Sequence, residues 1–254
     1  MKIVLLGSGN VATQLAYALK DKGQEIIQVY SFQLAHAKAL ASVINCEAVD
    51  NLGNITPDAD LYIIAVKDDA ISDVASKLGA VKGLVVHTSG TTDISILAQH
   101  VKLAGVFYPL QTFSKAKPVS FAEIPICIEA TDEVQLVKLQ EFARELSSLV
   151  YSLDGEKRRI LHLSAVFACN FTNHLYALAN QLLIKNSLDF EIIRPLIAET
   201  ANKVMNSSPQ DVQTGPAARE DERTIKRHLG MLNDLPELQH IYQTLTESIK
   251  LTLK

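Results

Sequence analysis

Two hydrophobic periods alternate along the first 150 or so residues. Short apolar runs recur at Lys2–Leu6, Glu25–Tyr30, Asp60–Val66, Gly83–His87, Gly105–Tyr108 and Pro125–Glu129. Between several of them apolar positions return every three or four residues, which predicts helices over Asn10–Lys20, His36–Ile44, Ile71–Leu78 and Glu133–Leu149. Such alternation reads as βαβ units around a mostly parallel sheet. The strand runs are apolar throughout rather than at every second position, as expected where helices cover both faces.

The texture changes near Asp154-Gly155. Beyond it the apolar residues keep helical spacing only. Helices are expected over about Glu156–Lys185, Phe190–Met205 and Pro236–Leu251, with a short one near Asp221–Leu232 after the turn-rich stretch from Ser207 to Pro216. The expected fold is therefore α/β, with residues 1–154 forming a Rossmann-type domain and residues 155–254 an all-helical one. The helical domain is expected to contribute to a substrate cleft and a homodimer.

One strand runs straight into a glycine turn and a helix. Lys2 to Leu6 is followed by Gly7-Ser8-Gly9-Asn10-Val11-Ala12, a Gly-x-Gly-x-x-Ala pattern. Gly7 permits the tight turn and Gly9 lets a pyrophosphate approach the backbone. Ala12 lets helix and strand pack closely, and the helix N-terminus turns free N–H groups to the anion. Gly7, Ser8, Gly9, Asn10 and Val11 are thus expected around a dinucleotide. At the end of the second strand the chain reads Val29-Tyr30-Ser31-Phe32, without the acid that would hold both ribose hydroxyls of NAD. Ser31 can donate to a 2′-phosphate there, or cap the next helix; His36 or Lys38 can add positive charge. NADP is expected over NAD.

In such sheets the ligand lies across the carboxyl ends of the strands. Ala65 and Val66 would pass beside the cofactor, and Asp69 is expected to cap the following helix. His87-Thr88-Ser89-Gly90 would surround nicotinamide and substrate: Thr88 on the cofactor, His87 and Ser89 nearest the reacting carbon. Histidine serves as acid, base or donor near neutral pH; the alternative is a strand-end ring bonded to a backbone carbonyl. Tyr108 and Gln111, from Tyr108-Pro109-Leu110-Gln111-Thr112-Phe113, are candidate substrate contacts. In the helical half, His162, Asn170 and His174 interrupt an apolar helix, where polar groups need a cleft or a buried network to satisfy them. His162 and Asn170 are expected to face the nicotinamide, and His174 and Arg219 the substrate, although Arg219 can instead pair with Asp221.

Charge and cysteine usage narrow the class. Lys and Arg number 24 against 28 Asp and Glu, a net charge of −4 over 254 residues, so no basic excess exists to neutralise nucleic acid or an anionic membrane. The 3 cysteines, Cys46, Cys127 and Cys169, form no metal or disulfide pattern. No apolar run reaches membrane-spanning length, so a cytoplasmic location and no metal are expected.

Taken in order, the Gly7–Ala12 turn, Asp69-Ala70-Ile71, His87–Gly90, Pro109–Phe113, His162 to Asn170 and Thr214-Gly215-Pro216-Ala217-Ala218-Arg219 resemble the bacterial Rossmann-like plus DUF2520 proteins over essentially the whole chain. That family is provisionally described as NADP-dependent oxidoreductases. It is similar in architecture to pyrroline-5-carboxylate reductase and to 6-phosphogluconate dehydrogenase-like proteins. The resemblance implies a nucleotide-binding domain followed by a helical domain that often builds a dimer. It implies hydride transfer between nicotinamide and a small carbonyl or imine; the alternatives are a non-catalytic NADP(H)-sensing protein and a purely structural dimerisation protein. In the family a histidine is common where Tyr108 stands, an arginine where Phe32 stands, and Gly-Asp where Glu220-Asp221 follows Arg219. The lysine of β-hydroxyacid dehydrogenases has no counterpart one turn before Asn170, where Val166 stands, which speaks against that chemistry.

Overall fold

In a computed structural model, which describes residues 1–116 and 119–253, all six predicted strands form and two short ones join them. They are β1 (Lys2–Leu6), β2 (Glu25–Tyr30), β3 (Glu47–Val49), β4 (Leu61–Ile64), β5 (Leu84–His87), β6 (Ala104–Pro109), β7 (Ile126–Ala130) and β8 (Val150–Ser152). One sheet orders them β3-β2-β1-β4-β5-β6-β7-β8, parallel throughout except between β6 and β7. The two strands without a hydrophobic signal, β3 and β8, are the edges. An edge strand is short and keeps polar residues such as Glu47 and Ser152, so nothing in its pattern announces it.

Each inner strand feeds two cores. Ile3, Leu5, Leu61 and Ile63 pack on one face with α1 (Asn10–Asp21), α2 (Leu34–Ile44) and α5 (Glu133–Leu146). Val4, Leu6, Tyr62 and Ile64 pack on the other with α3 (Ile71–Ser76) and α4 (Ser95–Ala98). Successive side chains point to opposite faces, so a strand covered twice must be apolar at every position. At about 1.5–3 kcal/mol for each fully buried large aliphatic side chain, these two layers dominate the stability of the sheet.

The chain divides into two compact units, Met1–Cys169 and Asn170–Lys254. The change of texture at Asp154 marks a helix start instead: Asp154 Oδ1 accepts the Lys157 N–H at 2.8 Å and caps α6 (Gly155–Ala165). The expected single helix from Glu156 to Lys185 is interrupted by a π-helical turn, Val166–Phe171, before α7 (Thr172–Lys185). A π-turn bonds i to i+5 and rotates the helix beyond it, so α-helical spacing does not relate Asn170 to His162.

In the second unit a 3₁₀ turn (Phe190–Ile193) leads into α8 (Arg194–Asn206), followed by α9 (Glu222–Met231) and α10 (Pro236–Thr252). Asp221 caps α9, accepting Thr224 N–H at 3.0 Å and Thr224 Oγ–H at 2.7 Å. Pairs Lys185–Asp234 and Lys250–Glu222 and the His228–Tyr242 hydrogen bond of 2.9 Å tie the unit together. Glu220 occupies the left-handed region at φ 52°. A glycine bears no Cβ penalty there. Glu220→Gly is therefore expected to stabilise by about 0.5–1 kcal/mol, seen as a higher urea midpoint; a lower midpoint would show that the Glu220 side chain contributes more than its backbone costs. Among the described residues no helix is long and apolar enough to cross a membrane.

Candidate cofactor and active site

Strand register aligns four chain exits along one edge. Leu6 lies opposite Tyr30 and Ile64, and Ile64 opposite His87, so the next residues, Gly7, Ser31, Ala65 and Thr88, emerge together. The ladder continues one residue past the strands: Gly7 N–H donates to Tyr30 O (2.8 Å), Ala65 N–H to Leu6 O (2.7 Å) and Thr88 N–H to Ile64 O (3.1 Å). Above this edge lies a cavity of about 600 Å³, lined by Gly7 to Val11, Ser31, Phe32, Ala65, Val66, Lys67 and Thr88 among others. All nine residues expected around the cofactor therefore line one cavity.

Its chemistry suits a dinucleotide. A β-carbon on Gly9 would meet nothing within 4 Å, so the backbone faces open space there. Gly9 is also the N-cap of α1 and supplies no side chain to its first-turn N–H groups, which leaves them to an anion. Ser8 Oγ donates to Ser31 Oγ at 3.0 Å, linking the glycine turn to the end of β2. Ser31 is not a helix cap; Gln33 holds that position in α2. His36 and Lys38 are exposed on α2 outside the lining, and the cation on the cavity wall is Lys67. Phe32 stands 86% exposed at the mouth. Asn10 turns its amide away to donate to Phe113 O at 3.0 Å, tying the loop after β6 to α1. Asp69 caps nothing: it lies inside a 3₁₀ turn, and Ala70 precedes α3 with no side-chain cap, because the turn places Asp69 one residue too early.

Beyond Thr88 the loop after β5 is held by its own side chains. Ser89 Oγ accepts from Thr91 N–H (3.1 Å) and Thr92 N–H (2.9 Å), and Thr91 Oγ donates to Asp68 Oδ2 at 2.5 Å. His87 is wholly buried, at 0% exposure. Its Nδ1 accepts the Ser89 N–H at 3.2 Å, so the ring proton resides on Nε2, which has no hydrogen-bond partner among the described residues. Burial first, and then the Arg158 guanidinium, push the His87 pKa down to about 4, against a weaker opposing pull from Asp68 and Asp93. Between that value and about 6.5 the unfolded chain binds a proton that the folded chain refuses, so stability falls as the pH drops through this window. The loss expected from His87 alone is roughly 3 kcal/mol. Urea midpoints at pH 7, 5.5 and 4.5 should show it, and His87→Gln should lose most of the slope; an unchanged slope would place its origin elsewhere.

Two further predicted residues meet in the first unit. The Tyr108 hydroxyl and His162 Nδ1 lie 2.9 Å apart. The approach needs a glycine beside it: a β-carbon on Gly90 would sit 2.7 Å from His162 Nδ1 and 2.8 Å from Tyr108 Cζ. Burial, then Cys127 and Asp68, push the Tyr108 pKa up to about 12, so its hydroxyl keeps its proton. His162 rides on α6, four residues after Arg158 and on the same helix face. Arg158 is 1% exposed, pairs with Glu129 of β7 and donates from Nη2 to Thr92 O at 2.6 Å. It pins α6 to the sheet and to the loop after β5, and thereby sets the place of His162.

Four expected residues remain. Gln111 is exposed and folds onto Thr112, accepting its N–H at 2.7 Å. Asn170, His174 and Arg219 belong to the second unit and are exposed. Arg219 makes no ion pair among the described residues, since the Asp221 carboxylate is occupied in capping α9. Gly90 stood in the sequence as a loop residue, and Arg158, Glu129 and Asp68 carried no motif at all. Only the helical spacing of Arg158 and His162 hinted at a shared face.

Residues 2–90 match the family model described as NADP oxidoreductase coenzyme F420-dependent, and residues 124–249 match Domain of unknown function (DUF2520). A Bacteroides fragilis structure, provisionally described as an NADP oxidoreductase, is 46% identical with a TM-score of 0.93, covering 98% of this chain and 97% of its own. The chain belongs to the Rossmann-like plus DUF2520 family. A protein from Thermotoga maritima shares the fold of this DUF2520 family member at 21% identity and a TM-score of 0.75, over 99% of this chain and 98% of that one. So does an imine reductase from Myxococcus stipitatus in complex with NADP+, at 14% identity and 0.62, over 100% and 93%. No curated protein matches the chain.

Proposed function

We propose that this DUF2520 family member is an NADP-dependent oxidoreductase that transfers hydride between nicotinamide and a small carbonyl or imine carbon. The observation that carries the proposal is the cavity over the aligned exits of β1, β2, β4 and β5, with its open Gly9 cradle and uncapped helix N-terminus. The likeness to the Bacteroides fragilis protein provisionally described as an NADP oxidoreductase supports it.

Backbone N–H groups of the Gly7–Val11 turn would hold the pyrophosphate, with the adenosine half toward Ser31 and the nicotinamide half toward Ala65, Val66 and Thr88. The β2 exit offers Ser31 and no acid, which favours a 2′-phosphate. When bound, the cofactor supplies the hydride chemistry. The protein orients the reacting partners and moves a proton. His87, buried and neutral, is proposed to act through the loop it shapes with Ser89, while Tyr108 and Gln111 are proposed to meet the substrate.

The test is thermal melting with NADP+, NADPH, NAD+ and NADH. Saturating ligand at about 100 times its dissociation constant adds roughly 2.7 kcal/mol, or about 5–10 °C for a chain of this size. A shift with the phosphorylated pair alone is expected. A shift confined to NAD+ and NADH would refute the assignment of Ser31, and no shift at all would refute the oxidoreductase. NADPH absorbance against carbonyls and imines then separates an enzyme from a sensor.

A homodimer is part of the proposal. In the second unit Ile184, Ile192, Leu196, Met205 and Met231 are each at least 65% exposed, and Ile192 and Leu196 are one helical turn apart. Apolar surface of that extent is covered in a stable protein, here by a second copy of the chain. Sedimentation equilibrium should return twice the chain mass; a monomer at micromolar concentration would overturn it. The unpaired cysteines fit a reducing, cytoplasmic setting.

A further inference from the structure

Thr88 lines the cofactor cavity, and Gly90, two residues on, packs against both Tyr108 and His162. Two residues span at most about 7 Å, so the Tyr108–His162 pair lies next to the nicotinamide end of the cavity. His162 spends Nδ1 on the Tyr108 hydroxyl and is only partly buried, which leaves Nε2 for a substrate or solvent. We propose that His162 is the proton donor and acceptor at the reacting carbonyl or imine, with Tyr108, in place of the direct substrate contact given above, as the positioning residue behind it. This rests on the oxidoreductase proposed above.

The surroundings single out His162. Cys127 of β7, Asp68 after β4 and Arg158 of α6 face Tyr108, while His87 ends β5 and Asp93 lies in the loop after it. Tyr108 and Cys127 are pushed up to about 12 and 11, and His87 down to about 4, so none of these three exchanges a proton at neutral pH. The hydroxyl of Tyr108 can accept from Nδ1–H or donate to a bare Nδ1, and so holds the ring through either state.

In reduction, hydride adds to the substrate carbon and the C=N or C=O π pair moves onto nitrogen or oxygen. That atom takes the proton from Nε2 of the imidazolium, and the N–H bonding pair stays on Nε2. Nδ1–H remains on the Tyr108 oxygen, and a solvent proton restores the ring. Oxidation runs the same steps in reverse, with Nε2 accepting.

The experiment needs no substrate. NADP+ and NADPH are titrated calorimetrically at about pH 6.5 in PIPES and in Bis-Tris, whose different ionisation enthalpies reveal protons exchanged on binding. The oxidised nicotinamide is cationic and the reduced one neutral, while both carry the same 2′-phosphate. An imidazole beside the ring should therefore release more proton on binding NADP+ than NADPH. His162→Gln should abolish the difference while keeping NADP+ affinity within about threefold, and His162→Asn replaces it if the glutamine variant does not fold. Tyr108→Phe should keep the difference but move the pH at which it is largest. An equal difference in the His162 variant, or none in the wild type, would overturn the proposal. A wild type that binds neither dinucleotide would instead overturn the cofactor site.

Discussion

Gly7→Ala is expected to lower the melting temperature by about 10 °C and to abolish any response to dinucleotide, whereas Gly9→Ala should melt like the wild type and lose affinity alone. The two glycines stand two residues apart in one turn, yet they fail for different reasons. A β-carbon on Gly7 would lie 2.3 Å from Ala65 O and 2.8 Å from Ala65 C, at a backbone φ of 133° that side chains rarely adopt. Neither atom can yield, because Ala65 N–H is bonded to Leu6 O at 2.7 Å and continues the β1–β4 ladder. Overpacking and backbone strain each cost about 1–3 kcal/mol, so about 3–5 kcal/mol together is expected. On Gly9 a β-carbon would touch nothing and would enter only the open space that the proposal assigns to pyrophosphate. Melting curves and NADP+ titrations of both variants decide it: a Gly7→Ala protein melting within 2 °C or so of wild type would contradict the contact.

Arg158→Ala should destabilise by about 3–5 kcal/mol, the usual cost of removing one partner from a buried charge pair. The guanidinium is 1% exposed, and its loss strands Glu129 and the Thr92 carbonyl. Much of the cost comes from the charge left behind, so Arg158→Met combined with Glu129→Gln should recover a good part of it. A second consequence separates this from ordinary core damage. Arg158 is the second-largest cause of the low His87 pKa, so in any folded Arg158 variant the acid loss of stability assigned to His87 should shrink, still setting in near pH 6.5 but levelling off at a higher pH. Urea midpoints across pH 4.5–7 for the single and double variants measure both effects. A double variant as unstable as Arg158→Ala, with the His87 slope intact, would rule out this account.

The local half of the protein is legible in its sequence. The β1–turn–α1 unit, the inner strands and helices α2, α3 and α5 follow from apolar runs, helical spacing and two glycines, all short-range patterns set by backbone sterics and burial, whereas the single-turn α4 (Ser95–Ala98) carries no such signal. The nine residues expected around the cofactor line one cavity because parallel strands in register bring successive strand exits to one edge, whatever lies between them. The same logic misses β3 and β8, whose place at the edges requires no apolar face, and it extends the helix beginning at Glu156 through a π-turn that local spacing does not reveal.

The side-chain cluster around His87, Tyr108 and Arg158 was decided by contacts across long stretches of chain. Tyr108 and His162 are 54 residues apart in sequence, and Glu129 and Arg158 are 29 apart. The sequence by itself determined the α/β class and the glycine turn, because those depend on neighbours in the chain. Only the tertiary structure decided that His87 is buried and neutral, that Lys67 rather than His36 or Lys38 faces the cavity, and that Gly90 brings a tyrosine and a histidine into hydrogen-bonding distance. Those outcomes depend on burial and on charges brought close by packing, and neither is a property of any local run of residues.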